Sequence, residues 1–148
     1  MIKLRNFEIT DAAALQKERH HNMSVGEIQD MICKWNKRVY EGKYFEMFAV
    51  TNENGIVGTI SLFQHSDSVI SIGPEIFSRF QRQGFGKQAL AATIEICKSK
   101  GYKIVCQQVL SNNAASIALH RSMNFETDMY CYKNEKGESV YIFLKPLQ

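Results

Sequence analysis

The sequence contains no apolar run that approaches the roughly 20 residues needed to cross a bilayer. Its first segment, MIKLRNFEIT, lacks the apolar core of a secretory signal peptide, so we expect a cytoplasmic protein with no membrane partner. Low-complexity and repeated segments are absent as well, and 45% apolar with 22% charged residues is an ordinary globular composition. The 148 residues predict a single domain, 1–148, because a second domain would have no room for its own core.

A metal centre is not indicated either. The 4 cysteines show no C-x-x-C spacing, and no histidine stands at usable spacing for zinc. Because the cysteines lie in apolar-patterned segments, we expect reduced, buried thiols. The formal net charge is only +3 and the basic residues are scattered, so no nucleic-acid surface is implied, although a local anion site stays open.

The hydrophobic pattern predicts the element order β α α β β β α β α β β, a mixed sheet with helices on its faces. The first helix is expected to end near His21. A second helix begins with a capping box, Ser24 and Glu27, and should run through Val39 until Gly42. The strands VISIGPEIF and YKIVCQQVL are joined through a helix, which requires a parallel, right-handed crossover.

The stretch RFQRQGFGKQAL, residues 79–90, lies between a predicted strand and a predicted helix. Gly84 and Gly86 would let an anionic ligand approach the main chain, and the unpaired N–H groups of the first helical turn would point at it. This pattern predicts a phosphate-binding loop.

Three other structures have similar loops. A P-loop needs Gly where Gln81 stands and Ser or Thr where Gln88 stands. The dinucleotide fingerprint is formally met by Gly84, Gly86 and Ala89, but it expects an acidic residue after the next strand, where Ser-Asn occurs. An ordinary strand-to-helix turn stays open.

Two segments resemble the signatures of the GNAT superfamily of N-acetyltransferases. Residues 81–86, QRQGFG, are similar to Q/R-x-x-G-x-G/A, the family's loop for the pyrophosphate of acetyl-CoA, and NAASIALHRSMNF is similar to N-x-x-A/S-x-x-L-Y-x-x-x-G-F. One strand separates the two, as the family requires, and the resemblance covers essentially the whole chain. It implies an α/β (α+β) fold with a mixed, mostly antiparallel sheet of about seven strands, a βαβ crossover and helices on both faces.

The resemblance implies that acetyl-CoA is the acyl donor and lies in a V-shaped gap between the strands VISIGPEIF and YKIVCQQVL. Main-chain groups at residues 76–78 would pair with the amides of the pantetheine arm. Arg82 and Lys87 would add positive charge toward the phosphates. The implied cofactor-binding residues are Ile76, Phe77, Ser78, Gln81, Arg82, Gln83, Gly84, Phe85, Gly86, Lys87, Asn113 and Ser116.

The resemblance also exposes departures at the catalytic positions. His120 stands where the family has a tyrosine that protonates the departing CoA thiolate, and transfer from imidazolium (pKa ~6.5) to a thiolate (pKa ~8.5) is downhill. A purely structural His120 is the alternative. Gln108 replaces the catalytic glutamate of members that acetylate ribosomal-protein N-termini. An amide cannot accept a proton, so water, Glu75 or His65 would take it from the amine, with Glu75 ranked first, or the amine arrives already neutral. Asn124 replaces a family glycine and tolerates a left-handed conformation.

The predicted function is direct transfer of an acetyl group from acetyl-CoA to a primary amine of a small molecule or a peptide or protein N-terminus, without a metal. The alternative is a non-catalytic acyl-CoA-binding sensor or partner module, and a nucleotide-binding role is a third. Acceptor specificity is expected from residues 19–43 and from the closing hairpin. The chain is expected to act as a monomer or homodimer.

Overall fold

The computed structural model describes residues 1–148. The strands are β1 (Lys3–Asn6), β2 (Val39–Tyr40), β3 (Lys43–Asn52), β4 (Gly55–Gln64), β5 (Val69–Ile76), β6 (Ile104–Leu110), β7 (Tyr132–Lys133) and β8 (Ser139–Pro146). The helices are α1 (Ala12–Glu18), α2 (Val25–Trp35), α3 (Phe85–Ser99) and α4 (Ala114–Ser122), with 3-10 turns at Ile9–Asp11 and Ser78–Phe80. None of these helices combines the length and the apolar character that crossing a bilayer requires.

The sheet is mixed and mostly antiparallel, as predicted, but it has 8 strands instead of about seven. Its order is β1-β3-β4-β5-β6-β8-β7, with β2 paired to β3 outside this path. Only β5 and β6 are parallel, and α3 connects them, which is the predicted crossover.

The additional strand, β2, arises where the second helix was expected to continue. The capping box at Ser24 and Glu27 is present, but the helix ends at Trp35 instead of running through Val39. Arg38 has a left-handed backbone (φ 58°), which turns the chain so that Val39 pairs with Tyr44. The first helix likewise ends at Glu18, short of the predicted end.

Each sheet face packs against different helices. Directly paired residues of antiparallel strands share a face, and side chains alternate along a strand. The α3 face carries Ile72, Pro74 and Ile76, and Ile76 lies beside the first turn of α3. The α2 face carries Phe63, which lies in a groove with Trp35 of α2. Most of the core is one cluster of 23 buried apolar residues.

The parallel strands β5 and β6 pair along only part of their length. Their register pairs are Val69 with Ile104 and Ile70 with Val105. Beyond this point β5 stays paired with β4 as far as Ile76, and β6 stays paired with β8 as far as Leu110. The predicted divergence of these two strands is therefore confirmed, and it opens a V-shaped gap in the middle of the sheet.

The cysteine prediction is only partly right. All 4 are free thiols, but Cys33 and Cys131 are exposed and only Cys97 is fully buried. Cys33 lies on the outer side of α2, and Cys131 belongs to a closing hairpin that forms fewer strand pairs than expected. An apolar local pattern therefore did not guarantee burial.

Candidate active site

A cavity of about 650 Å³ lies on the α3 face, where the gap between β5 and β6 opens. Its walls come from the end of β5, the loop before α3, the first turn of α3 and the first turns of α4. The lining residues are Pro74, Ile76, Phe80, Gln81, Arg82, Gly84, Phe85, Gly86, Lys87, Asn113, Ala115, Ser116 and Leu119.

The first turn of α3 supplies unpaired main-chain donors to this cavity. The first N–H group bonded to a preceding helical carbonyl is that of Gln88, which donates to Gly84 O at 3.1 Å. The N–H groups of Phe85, Gly86 and Lys87 therefore have no helical acceptor, and all three residues line the cavity. An anion bound here would also meet the positive end of a 15-residue helix.

The two glycines of this loop have different roles. Gly84 is the N-cap of α3 and has φ 83°, a left-handed conformation that favours glycine. Gly86 has no such requirement, because a Cβ there would lie 3.6 Å from Ile76 Cγ1, an ordinary contact. Because Gly86 has no side chain, its main chain forms the cavity wall between β5 and α4.

Arg82 adds both charge and an unusual backbone to the loop. It has φ 64°, which for a non-glycine residue costs on the order of 1 kcal/mol or more, and such strain is typical of ligand-binding turns. Arg82 and Lys87 are the charged residues that line the cavity, and both are basic. The cavity is therefore suited to a diphosphate. The positive φ of Arg82 had no signal in the sequence.

The start of α4 forms the opposite wall. Asn113 is its N-cap, and its Oδ1 accepts a hydrogen bond from Ser116 N–H at 3.0 Å. Both residues also line the cavity. Asn113 is therefore at once a helix cap and a wall residue. Asn124, just after α4, has φ 64°, which confirms the left-handed conformation predicted for it.

His120 lies behind this wall and not in it. Its side chain is 2% exposed, and it packs against Phe125 and Phe143 at ring-centroid distances of 4.9 and 5.5 Å. Nδ1 donates to the carbonyl of Ser116 at 2.7 Å, and Nε2 lies 3.4 Å from the Gln107 amide nitrogen. Burial lowers the pKa of His120, which favours the neutral imidazole. Its role as general acid stays a prediction, because only Ser116 connects it to the cavity.

Gln107 spans the diverging strands and was missed in the sequence. Its side chain is 4% exposed. The Oε1 atom accepts from Ile72 N–H at 2.7 Å, and Nε2 donates to Ile72 O. The signal was available, because Gln107 stands between Val105 and Val109 on the buried face of its strand, and a buried amide needs partners.

Three predicted cofactor residues do not line the cavity. Phe77 is 2% exposed, and its N–H donates to Val57 O at 2.9 Å, so this N–H already has a partner within the protein. Ser78 begins the 3-10 turn that follows β5, and Gln83 is exposed at the tip of the loop. The 3-10 turn after Ile76 takes Phe77 and Ser78 away from the gap, whereas Gln83 lies between two lining residues, Arg82 and Gly84, without lining the cavity itself.

Glu75, the favoured candidate base, lies outside this cavity. Alternation along β5 puts Pro74 and Ile76 in the cavity wall and Glu75 on the other face. Its side chain is 47% exposed and pairs with Arg19, whose Nε lies 3.0 Å from Oε1.

A second cavity, of about 510 Å³, lies on the α2 face of the same gap. It is lined by residues of β4, β5, β6 and β8 and contains two residues singled out in the sequence, His65 and Gln108. The lining residues are Ser61, Phe63, His65, Val69, Ser71, Ile72, Gly73, Cys106, Gln107, Gln108 and Ile142. The two cavities approach the gap from opposite sides of the sheet.

The acetyltransferase (GNAT) domain family matches residues 2–126, most of the chain. The chain belongs to the GNAT acetyltransferase family. The predicted acyl-CoA-dependent N-acetyltransferase is thereby confirmed, and the non-catalytic alternative is not favoured. No curated protein matches the chain in sequence.

Solved structures of GNAT enzymes share the fold. An acetyltransferase from Salmonella typhimurium that modifies the N-terminal serine of the ribosomal L7/L12 protein has a TM-score of 0.83 at 19% identity, with 99% of this chain and 95% of that chain covered. RimL, a ribosomal L7/L12 α-N-protein acetyltransferase in complex with coenzyme A, gives 0.85 at 18%, covering 99% and 94%. The microcin C7 self-immunity acetyltransferase MccE, in complex with acetyl-CoA and AMP, gives 0.83 at 17%, covering 99% and 92%.

Proposed function

We propose that this protein transfers the acetyl group of acetyl-CoA directly to a primary amine across the gap between β5 and β6. The observation that carries the proposal is the position of the gap between two cavities. One contains unpaired helix N–H groups with Arg82 and Lys87, and the other contains neutral polar side chains. A diphosphate-bearing donor fits the first, and an amine acceptor fits the second.

The donor would be held mainly by main-chain groups. The N–H groups at the start of α3 and the two basic side chains would bind the pyrophosphate. Ile72 directs both main-chain groups toward Gln107, so by the two-residue period of a strand those of Pro74 and Ile76 also point into the gap. Pro74 has no N–H, and Gln81 already donates to Ile76 O at 3.0 Å. The Ile76 N–H is therefore the donor available to the pantetheine arm or to the thioester oxygen.

The reaction needs no covalent enzyme intermediate. A neutral amine attacks the thioester carbonyl carbon, a C–N bond forms, the C–S bond breaks, and the amine loses one proton while the thiolate gains one. A proton from His120 would reach the thiolate only by way of Ser116, the residue that connects His120 to the cavity. Because a thiol has a pKa near ~8.5, water can also protonate the thiolate, and a dedicated acid is not obligatory.

The activity can be tested with a panel of amines and direct measurement of CoA release. Serinamide, phenylalaninamide, short peptides with a free N-terminal serine, putrescine and an aminoglycoside cover the main classes, and the structural similarity to enzymes acting on ribosomal L7/L12 puts the seryl peptides first. We expect a thermal shift with acetyl-CoA but not with NAD or ATP, and turnover of at least one amine. Binding of acetyl-CoA without turnover of any amine would instead support a non-catalytic binding module.

Residues 1–148 are proposed to act as one domain in the cytoplasm, as a monomer or homodimer. Light scattering during size-exclusion chromatography distinguishes the two oligomeric states, and fractionation of cells tests the location.

A further inference from the structure

The cavity on the α2 face contains one side chain able to accept a proton at neutral pH. Its polar lining consists of serine, glutamine and histidine side chains together with the Cys106 thiol, and it includes no carboxylate. Gln108 is an amide and cannot take a proton from an amine. His65, just after the end of β4, is exposed and forms part of the cavity wall.

A hydrogen-bonded chain determines which nitrogen of His65 is free. His65 Nε2 lies 2.6 Å from Ser71 Oγ, and Ser71 Oγ donates its hydrogen to Cys106 O. A serine hydroxyl has one hydrogen, so Ser71 must accept from an Nε2–H group. The neutral imidazole then has its lone pair on Nδ1. Ser71 therefore selects the tautomer in which Nδ1 is the base.

The same chain locates the imidazole relative to the gap. Ile70 with Val105 is the last paired position of β5 and β6, so Ser71 and Cys106 occupy the first level at which the strands diverge. Gly73 lies two residues further along, about 7 Å at ~3.4 Å per residue. It shares the face of Ser71 and also lines the cavity. His65 thus stands at the closed end of the gap, on the side opposite the phosphate-binding loop.

The surroundings of His65 favour the neutral form of its imidazole. Burial and the charge of Lys43 both lower the pKa of His65, in that order, and Lys43 Nζ donates to His65 O at 2.8 Å. The titratable groups that face it are Lys43 from β3 and the Cys106 thiol from β6, and the Phe63 ring lies 5.2 Å away. A neutral imidazole is the form that accepts a proton.

We propose that His65 is the general base of the acetyl transfer and that Ser71 is its positioning residue. This inference rests on the proposed function and deepens it. The amine nitrogen bonds to the thioester carbon as the C–S bond breaks, and its proton passes to His65 Nδ1, directly or through one water. The imidazolium then returns the proton to solvent, so the products are the acetamide and CoA thiol.

The test compares His65→Gln, His65→Ala and Ser71→Ala with Lys98→Gln, an exposed residue near the end of α3 that lies outside both cavities. Serinamide, phenylalaninamide and putrescine are the acceptor probes, and acetyl-CoA affinity is measured separately by calorimetry. We expect His65→Gln to lower kcat about 100-fold with unchanged acetyl-CoA affinity. We also expect it to remove the loss of kcat that the wild type shows as the pH falls through the pKa of His65. Added imidazole should restore part of the activity of His65→Ala.

Ser71→Ala should lower kcat less, about tenfold, and change the pH profile, while Lys98→Gln should match the wild type. If the wild type acetylates a probe and both His65 variants keep its kcat and pH profile, His65 is not the base, although the protein is still an acetyltransferase. If the wild type binds acetyl-CoA but acetylates none of the three probes or the other amines of the panel, the proposed function itself fails, and this inference fails with it.

Discussion

The two cavities that meet at the gap are built from different parts of the chain. On the α3 face, the cavity proposed for acetyl-CoA presents main-chain N–H groups from the first turn of α3. Its two charged side chains are both basic. On the α2 face, the cavity proposed for the amine acceptor is lined by side chains of four strands, and most of its polar groups are neutral. A diphosphate can be recognised by backbone alone, whereas an acceptor must be recognised by side chains. Substitutions should therefore change acceptor preference far more readily than donor preference.

The two histidines beside the gap make the same contrast. His120 on the α3 side is buried, and both of its ring nitrogens have partners, one to Ser116 O and one to the Gln107 amide. His65 on the α2 side is exposed, and one ring nitrogen is held by Ser71. The first arrangement stabilises structure and the second leaves a base free. Variants of residues on the α3 side should test this difference between His120 and His65.

The largest expected effect is on stability, from His120→Ala. The change leaves a cavity beside Phe125 and Phe143 and removes the partners of Ser116 O and the Gln107 amide. We expect the free energy of unfolding to fall by about 2–5 kcal/mol. Urea denaturation measures it, with His21→Ala as the control. A variant that keeps wild-type stability but loses kcat would instead identify His120 as the general acid.

The next effect concerns donor binding. Arg82→Gln should raise the KM for acetyl-CoA about tenfold, because a charged hydrogen bond to a phosphate is lost at an exposed site. Acetyl-pantetheine, which lacks the diphosphate, should be used equally well by the variant and the wild type. Arg121→Gln, an exposed arginine outside the cavity lining, is the control. An equal loss with both donors would show that Arg82 does not act through the phosphates.

A smaller effect is the pH dependence of stability that His120 causes. Its pKa is lowered by burial, so below about pH 6.5 the unfolded chain binds a proton that the folded chain does not. Stability is therefore fully present above that pH and falls as the pH falls, by at most about 1.4 kcal/mol per pH unit. The pKa values of His20 and His65 are lowered too, so the contribution of His120 is the difference from His120→Gln. Equal slopes for the two proteins between pH 7 and pH 5 would contradict a buried neutral His120.

The smallest expected effect is that of Glu75→Gln. The exposed pair with Arg19 contributes about 0–0.5 kcal/mol, so neither stability nor kcat should change by more than a few tens of per cent. Substitution of a general base would lower kcat about 100-fold or more. Steady-state kinetics with the best acceptor of the panel decides this, and a large loss would restore Glu75 as the base in place of His65.

Much of the fold and the donor site could be predicted from the sequence, because local signals agreed there. The Ser24 capping box, the glycine loop and the Asn113 cap each specify a backbone geometry through short-range contacts. Asn at position 124 signalled a residue that tolerates a left-handed conformation, and φ 64° is observed. These features depend on neighbours in sequence.

The rest depended on contacts between distant residues. The strand β2 forms because β3 offers it an edge, and the helical spacing of Val39 could not reveal that partner. The place of Glu75 on the α2 face follows from its register with β4, and the relation of His65 to Ser71 follows from the hairpin between β4 and β5. Sequence reasoning named both as candidate bases and ranked Glu75 first, because neither the register of Glu75 nor the contact of His65 with Ser71 could be read from the sequence.

The amide of Gln107 affects the width of the gap between β5 and β6. A side-chain amide is chemically a peptide unit, and here it offers Ile72 both the carbonyl and the N–H that a neighbouring strand would otherwise present. The hydrogen bonds of one side chain thus connect β5 and β6 across the gap. The length of the Gln107 side chain therefore helps to set the distance between β5 and β6 at the level of Ile72.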